Sequence, residues 1–340
     1  MKLLNLNLQT STNSLLNWCL QDKEENKSVP YYSNQMFLRQ VSDSYNAVFQ
    51  DIKSKKMSVI NMSEFINEDY QHFSSFVKFQ EKVVQKADYF ENFIIQGSYG
   101  DLSVIDGWSD LDAIAVVDVE KFKGRSWDFI STCKSLDRHF RKIDPYQHHG
   151  IQYIEKRELL NYPNLYYPIN LYSDAKSILS NDEVIYSSCN SQNLERLRLE
   201  SILNMLMSSA ESGVMKHHGK QGKYLLENFK DMHTMYQMKY FLSIIMLIPT
   251  LWLNCKGVYC RKKDSFDLIK DYFLEEDLEI ISKASQIRSG WKMQDDKSIK
   301  RNLIPDHVVK NLGSDYLKRG GRVAKLFSRE INSRLPSSYQ

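Results

Sequence analysis

Residues 94–117 read IIQGSYGDLSVIDGWSDLDAIAVV, and the prediction of the fold starts from these residues. An apolar run at residues 90–96, FENFIIQ, leads into it, and a second apolar run, LDAIAVV, occupies residues 111–117. Short apolar runs that are bounded by turn-forming residues are typical of buried strands. The second run hardly alternates between apolar and polar residues, which predicts a strand that is buried on both faces.

Two carboxylates, Asp110 and Asp112, stand at the leading end of the second predicted strand. Residues i and i+2 of a strand project from the same face, so we expect the two side chains to converge. Two neighbouring carboxylates that lose hydration repel each other, and a cation between them removes that cost. Clustered oxygen ligands suit Mg²⁺. The sequence therefore predicts a magnesium site here.

The pair Gly97-Ser98 follows the first predicted strand. Glycine lets the backbone approach a ligand closely, and the serine hydroxyl and the following N–H groups can bind phosphate oxygens. A phosphate-binding turn beside a strand that binds divalent cations indicates a nucleoside triphosphate site.

The Gly-Ser pair at 97–98, eleven intervening residues and the Asp-Leu-Asp-Ala segment at 110–113 resemble the signature of the nucleotidyltransferase superfamily related to DNA polymerase β. The layout is similar to that of the minimal, aminoglycoside-type and toxin-type members. The resemblance implies an α+β fold, in which a polymerase β-like nucleotidyltransferase domain with a mixed sheet is followed by a helical bundle domain.

The resemblance also implies how the site works. Asp110 and Asp112 would bind two Mg²⁺ ions, while Gly97 and Ser98 would contact the triphosphate. A nucleoside monophosphate would pass from the triphosphate, with ATP the expected donor, to an acceptor hydroxyl, and pyrophosphate would be released.

A third carboxylate is expected on a later strand. In the run HHGIQYIEKREL, Glu155 is the candidate, either as the third metal ligand or as a base for the acceptor hydroxyl, and Asp174 is a weaker one. Basic residues of the helical part would face the β and γ phosphates, and we single out Lys223 and Lys239. For Lys239 the alternative is a surface lysine whose stem covers apolar neighbours.

The pattern of apolar residues predicts three parts: a helical N-terminal extension at 1–88, the catalytic domain at 89–188 and a C-terminal helical domain at 189–340. Three-four spacing of apolar residues from about residue 191 onward is typical of helices. The longest apolar run, residues 240–253, is broken by Pro249. It is shorter than the roughly 20 residues of a membrane span, which predicts a buried helix.

Composition narrows the class of protein. The chain has 340 residues, of which 42% are hydrophobic and 26% charged, which is ordinary for a globular protein. The charges of its 45 basic and 42 acidic residues nearly cancel, so the composition does not require a polyanionic partner and leaves open a local basic cleft. Five scattered cysteines and the lack of a signal-peptide pattern predict a reduced, cytoplasmic protein without a membrane partner.

Three functions stay open. The first is a Mg²⁺-dependent nucleotidyltransferase that acts on a hydroxyl of a small molecule, an RNA or a protein. The second is a catalytically inactive module that binds a nucleotide or a partner, because no third carboxylate is obvious. The third is a template-independent polymerase or oligonucleotide synthase, which predicts products that grow by more than one unit.

Overall fold

The structure is a computed structural model, and it describes most of the chain between residues 51 and 331. The described ranges are 51–56, 58–59, 73–101, 103–105, 107–122, 124–143, 150–156, 175–179, 183–188, 192–215, 235–292 and 303–331. The chain divides into two compact units between residues 190 and 191, two residues from the boundary predicted after residue 188.

The first unit contains seven described strands. They are β1 Asp51–Lys56, β2 Ser58–Val59, β3 Phe90–Gln96, β4 Asp112–Val117, β5 Gln152–Glu155, β6 Lys176–Ser177 and β7 Glu183–Ser188. Five of them form one sheet in the order β2-β6-β3-β4-β5, and β1 pairs with β7. The strand β3 is antiparallel to β4 and β6, whereas β4 and β5 are parallel. The sheet is therefore mixed, and the predicted α+β class is confirmed.

The two central strands are those that the apolar runs predict. In β4 every residue after Asp112 is buried, so the prediction of a strand buried on both faces is confirmed. One face of the sheet packs against helices α1, Phe73–Gln85, and α2, Ser126–Ile143. The ring of Phe79 in α1 lies 5.7 Å from that of Phe93 in β3 and 6.0 Å from that of Phe140 in α2, measured between centroids.

The boundary predicted at residue 88 does not coincide with a boundary in the structure. The helix α1 precedes residue 88, yet its Phe76, Phe79 and Val83 lie in the same core as the sheet. Residues 51–56, which fall in the predicted helical extension, form a strand that pairs with β7. Residues 1–50 lie outside the described residues.

The second unit is helical where the structure describes it. Its helices are α3 Gln192–Ser212, α4 Met235–Cys255, α5 Lys262–Leu268, α6 Glu279–Ser289, α7 Asp306–Leu312 and α8 Tyr316–Glu330. Within α4, the 18 residues Met238–Cys255 have a mean hydropathy of 1.4, and 83% of them are buried. By length and composition this segment could cross a membrane, but in the structure it is a core helix. The predicted buried helix is confirmed.

Two adjacent glycines fix α8 on this core. A Cβ added to Gly320 would lie 2.7 Å from Cε2 of Phe241 in α4, and one added to Gly321 would collide with Cβ of Ala210 in α3. The absence of side chains at these two positions lets α8 pack closely on both helices, which presents its opposite face to solvent.

Candidate functional site

The Gly-Ser turn and the aspartate strand meet at one end of β3 and β4. Gly97 has a φ of 65°, and a Cβ added there would lie 2.5 Å from Oδ2 of Asp112. Any residue larger than glycine would therefore collide with the Asp112 carboxylate, and the positive φ disfavours such residues as well. The structure brings together two of the predicted site residues that are 15 positions apart in the chain, because β3 and β4 pair antiparallel with Gln96 opposite Asp112.

The turn after β3 is held by its own backbone and by a lysine. Residues 97–99 form one turn of 3-10 helix, in which the Gly97 carbonyl accepts hydrogen bonds from the N–H groups of Gly100 and Asp101, both at 3.0 Å. The ammonium group of Lys176 in β6 donates to the Gly100 carbonyl at 2.7 Å. Ser98 lies in this turn and is half-buried.

Asp112 is the first residue of β4, and Asp110 lies just before the strand. Leu111 and Ala113 are buried in the core with α1 and α2, so Asp112, which lies between them in the chain, projects from the other face. The convergence of the two carboxylates stays a prediction. Both aspartates are half-buried. Just before them, the Ser109 hydroxyl accepts a hydrogen bond from the N–H of Ile105 at 2.8 Å, which closes the loop that leads into β4.

Two glutamines lie on the Asp112 face of the sheet. Gln96 is directly opposite Asp112 and fully buried, and its amide nitrogen and oxygen have no hydrogen-bond partner among the described residues. Gln152 in β5 is level with Ile114 and also buried. A polar residue at the end of the apolar run FENFIIQ was the signal that could have pointed to Gln96. For Lys176 no local signal exists, because β6 has only two residues.

The backbone does not bring Glu155 to this end of the sheet. It pairs with Val117, five positions from Asp112, which is about 16 Å along a strand. A carboxylate so far from Asp112 cannot share a metal ion with it. The other candidate for the third carboxylate, Asp174, lies outside the described residues.

The two predicted phosphate-facing lysines belong to the second unit. Lys223 lies outside the described residues. Lys239 lies in α4 and is 1% exposed, which contradicts the alternative of a surface lysine. Its ammonium group is enclosed by protein, so contact with a phosphate would require a rearrangement of α4 or its neighbours.

The donor chemistry at the end of β4 fits a hard cation. Among the described residues, no group of three or more His, Cys, Asp and Glu side chains could hold a metal ion. Asp110 and Asp112 supply two carboxylates, and Mg²⁺ commonly completes its six ligands with water and substrate phosphates. The described cysteines, Cys133, Cys255 and Cys260, form no disulfide with one another. Burial raises the pKa of Cys255 to about 12 and that of Cys260 to about 11, so both stay protonated at neutral pH.

Comparisons of the chain with protein-family models, with curated proteins and with solved structures found no match.

Proposed function

We propose that this chain is a Mg²⁺-dependent nucleotidyltransferase that transfers a nucleoside monophosphate from a nucleoside triphosphate to a hydroxyl of a small molecule, an RNA or a protein. The observation that carries the proposal is the contact between Gly97 and the Asp112 carboxylate. It supports a single site in which the phosphate-binding turn and the metal-binding strand serve one ligand. We expect ATP to be the donor.

Each residue at this end of the sheet would have its own role. Asp110 and Asp112 would hold the metal ions, and Gly97 leaves room for the Asp112 carboxylate. The Ser98 hydroxyl would donate a hydrogen bond to a triphosphate oxygen, and Lys176 would hold the turn in place through the Gly100 carbonyl. Bound Mg²⁺ would supply charge neutralisation at the phosphates and would lower the pKa of the attacking hydroxyl.

The reaction is a displacement at the α-phosphorus. The acceptor oxygen would form a bond to this phosphorus, the bond from the phosphorus to the bridging oxygen would break, and pyrophosphate would leave with the electron pair. The acceptor hydroxyl would lose its proton to solvent or to a base. No residue is assigned as that base, because the register separates Glu155 from Asp112.

A transfer assay tests the proposal. The protein would be incubated with Mg²⁺, each α-labelled nucleoside triphosphate, and small-molecule, RNA or protein fractions of a cell extract. We expect label on one fraction, with release of pyrophosphate. The variants Asp110→Asn and Asp112→Asn should lower the rate by about 100-fold or more, because each removes a metal ligand.

A matched control lies at the other end of the same strand. Asp118 follows β4, and its carboxylate is 3.3 Å from the ammonium group of Lys156. The variant Asp118→Asn makes the same chemical change as Asp112→Asn outside the proposed site, so it should keep the transfer activity. Equal loss in both variants would contradict the proposed roles.

Binding of a non-hydrolysable triphosphate gives a readout that does not need the acceptor. Isothermal titration should show tighter binding with Mg²⁺ than with a chelator, and Asp112→Asn should abolish this difference. A triphosphate that fails to bind under both conditions would refute the site itself.

A second candidate, a nucleotide-binding module without catalysis, is favoured by the residues on β5. On the strand next to β4, Gln152 is buried level with Ile114 on the Asp112 face, where a carboxylate would be expected. This candidate predicts Mg²⁺-dependent triphosphate binding without label transfer to any fraction. The same two assays therefore separate the candidates.

A further inference from the structure

The outward face of α8 carries a line of basic residues. Lys318, Arg322, Lys325 and Arg329 are all exposed, and they follow one another at spacings of four, three and four residues. Residues at these spacings lie on the same face of a helix. We call these four residues the α8 basic stripe.

The helix α8 carries a larger net positive charge than the whole chain. The segment Tyr316–Glu330 contains five basic residues and one acidic residue, a net of +4 in 15 residues, against +3 for the 340 residues of the chain. The fifth basic residue, Arg319, is not part of the stripe. Its guanidinium donates to the Leu312 carbonyl at 2.8 Å and to the Glu279 carboxylate at 2.6 Å, so it has a structural role.

The charge of the stripe is little neutralised by neighbouring carboxylates. Arg322 is 3.9 Å from Asp315, a long pair between exposed side chains. Lys318, Lys325 and Arg329 form no ion pair with any residue that the structure describes. Elsewhere in the same unit, four cations are paired with carboxylates at 2.7 or 2.8 Å, namely Arg196, Arg261, Lys270 and Lys283.

The opposite face of α8 is already used. Most of its apolar residues and its two glycines are buried against the helical core, among them Val323, Ala324 and Phe327. A helix that inserts into a lipid surface needs its apolar face for the acyl chains, whereas α8 can offer only its cations. The stripe is therefore presented on a helix that is fixed in position, which favours a partner that is bound through charge.

The length of the stripe favours a linear polyanion. From Lys318 to Arg329 the helix rises about 16 Å, with a cation at every turn or nearly so. A single phosphate would engage one or two of these side chains, whereas a nucleic-acid strand offers phosphates at regular intervals along its length. We propose that the α8 basic stripe binds the phosphate backbone of a nucleic-acid strand. This surface needs neither metal nor triphosphate, so it is independent of the proposed catalytic function.

Fluorescence anisotropy with labelled single-stranded RNA of about 20 nucleotides, and with DNA of the same sequence, tests the proposal. The full chain would be measured in chelator and without triphosphate, over a range of salt concentrations. If four cations each contact a phosphate, a plot of the logarithm of the binding constant against the logarithm of the salt concentration should have a slope of about −3. Affinity should then fall about 50-fold between about 50 and 200 mM salt.

The stripe variant replaces Lys318, Arg322, Lys325 and Arg329 together by Gln. We expect it to bind about tenfold more weakly or worse at low salt, with a slope of about −1 or shallower.

The control variant replaces Arg196, Arg261, Lys270 and Lys283 by Gln, which removes the same charge from paired positions in the same unit. It should keep the wild-type affinity and slope. Urea denaturation of both variants checks that each is folded. If the fourfold stripe variant does not fold, single substitutions in the stripe are measured in its place.

Several outcomes would overturn the inference. These are equal losses in the stripe and control variants, no binding of either nucleic acid by the wild type at low salt, and equal competition by polyglutamate. Stripe-dependent binding to phosphatidylserine vesicles in place of the oligonucleotides would assign the surface to a membrane. Tighter binding of the RNA or of the DNA oligonucleotide would identify which of the two the stripe binds.

Discussion

The carboxylate of Asp112 occupies the space that a side chain on Gly97 would need. A Cβ at residue 97 would lie 2.5 Å from Oδ2 of Asp112, and the φ of Gly97 is 65°. Residue 97 must therefore be glycine for the Asp112 carboxylate to keep its observed position.

Gly97→Ala should lower both stability and Mg²⁺-dependent triphosphate binding. The left-handed backbone alone costs about 1–2 kcal/mol for a residue with a Cβ, and displacement of the Asp112 carboxylate adds to it. Gly124→Ala is the matched control, since its φ is 77° and an added Cβ would meet nothing within 4 Å. Urea denaturation should show a larger loss of stability for Gly97→Ala than for Gly124→Ala. Similar losses in the two variants would mean that the close approach of residue 97 and the Asp112 carboxylate does not affect stability.

Gln96→Met should make the protein more stable. The amide of Gln96 is fully buried and has no hydrogen-bond partner among the described residues, and such a group costs about 1–3 kcal/mol. Methionine has a similar length and no such polar groups. Gln152→Met is the control, because Gln152 is buried but does interact with other residues, so this change should destabilise. A lower urea midpoint in Gln96→Met as well as in Gln152→Met would show that the Gln96 amide forms hydrogen bonds in solution.

The central strands could be predicted from the sequence because their signal is local. Both β3 and β4 are short apolar runs that end at turn residues, and burial on both faces follows from their lack of alternation. The side of β4 from which Asp112 projects was also predictable, because it needs only the period of a strand. The position of Gly97 beside Asp112 needed the resemblance, since pairing of β3 with β4 is not a local property.

Register and long-range pairing could not be read from the sequence. The strand of Glu155 was predicted, but its alignment is set by tertiary packing, and the observed register places Glu155 beside Val117. The strand β1, DIKSKK, has little apolar character and is defined by its pairing with β7, from Asp51 opposite Ser188. The helix α8 contains two consecutive glycines, which disfavour a helix locally and here serve packing against α3 and α4.

Stability should fall in mildly acidic solution through His139 in α2. Burial lowers the pKa of this side chain below 6.5, and the cations of Lys142, Lys82, Arg138 and Lys78 add to the effect. Between the lowered folded pKa and 6.5 the unfolded chain binds more protons, so the free energy of unfolding decreases as the pH falls through this window. Urea denaturation at about pH 7.5 and about pH 5.5 should show a smaller decrease for His139→Gln than for the wild type.

Lys82→Gln checks independently that neighbouring cations lower the pKa of His139. Removal of one cation from α1 should raise the folded pKa of His139 toward its ordinary value and should weaken the pH dependence. An unchanged pH dependence in both variants would assign the acid sensitivity to other groups.

Gly321→Ala should destabilise the helical unit, although alanine is the better helix former. In an exposed helix, replacement of glycine by alanine gains about 1 kcal/mol. At Gly321 the added Cβ would collide with Cβ of Ala210, so α8 must move away from α3 and we expect a loss of about 1–3 kcal/mol. The sign of the change in the free energy of unfolding therefore distinguishes close packing from helix propensity.

The double variant Gly321→Ala with Ala210→Gly isolates this contact. Ala210→Gly alone should destabilise α3 by about 1 kcal/mol, because glycine is a poor helix former. If the two Cβ atoms compete for one space, the double variant is more stable than the sum of the single changes predicts, with a coupling of about 1 kcal/mol or more. Because Gly321 also fixes the α8 basic stripe in place, Gly321→Ala should weaken oligonucleotide binding, and the second substitution should restore part of it. Additive losses would mean that α8 is free to shift on α3 without cost.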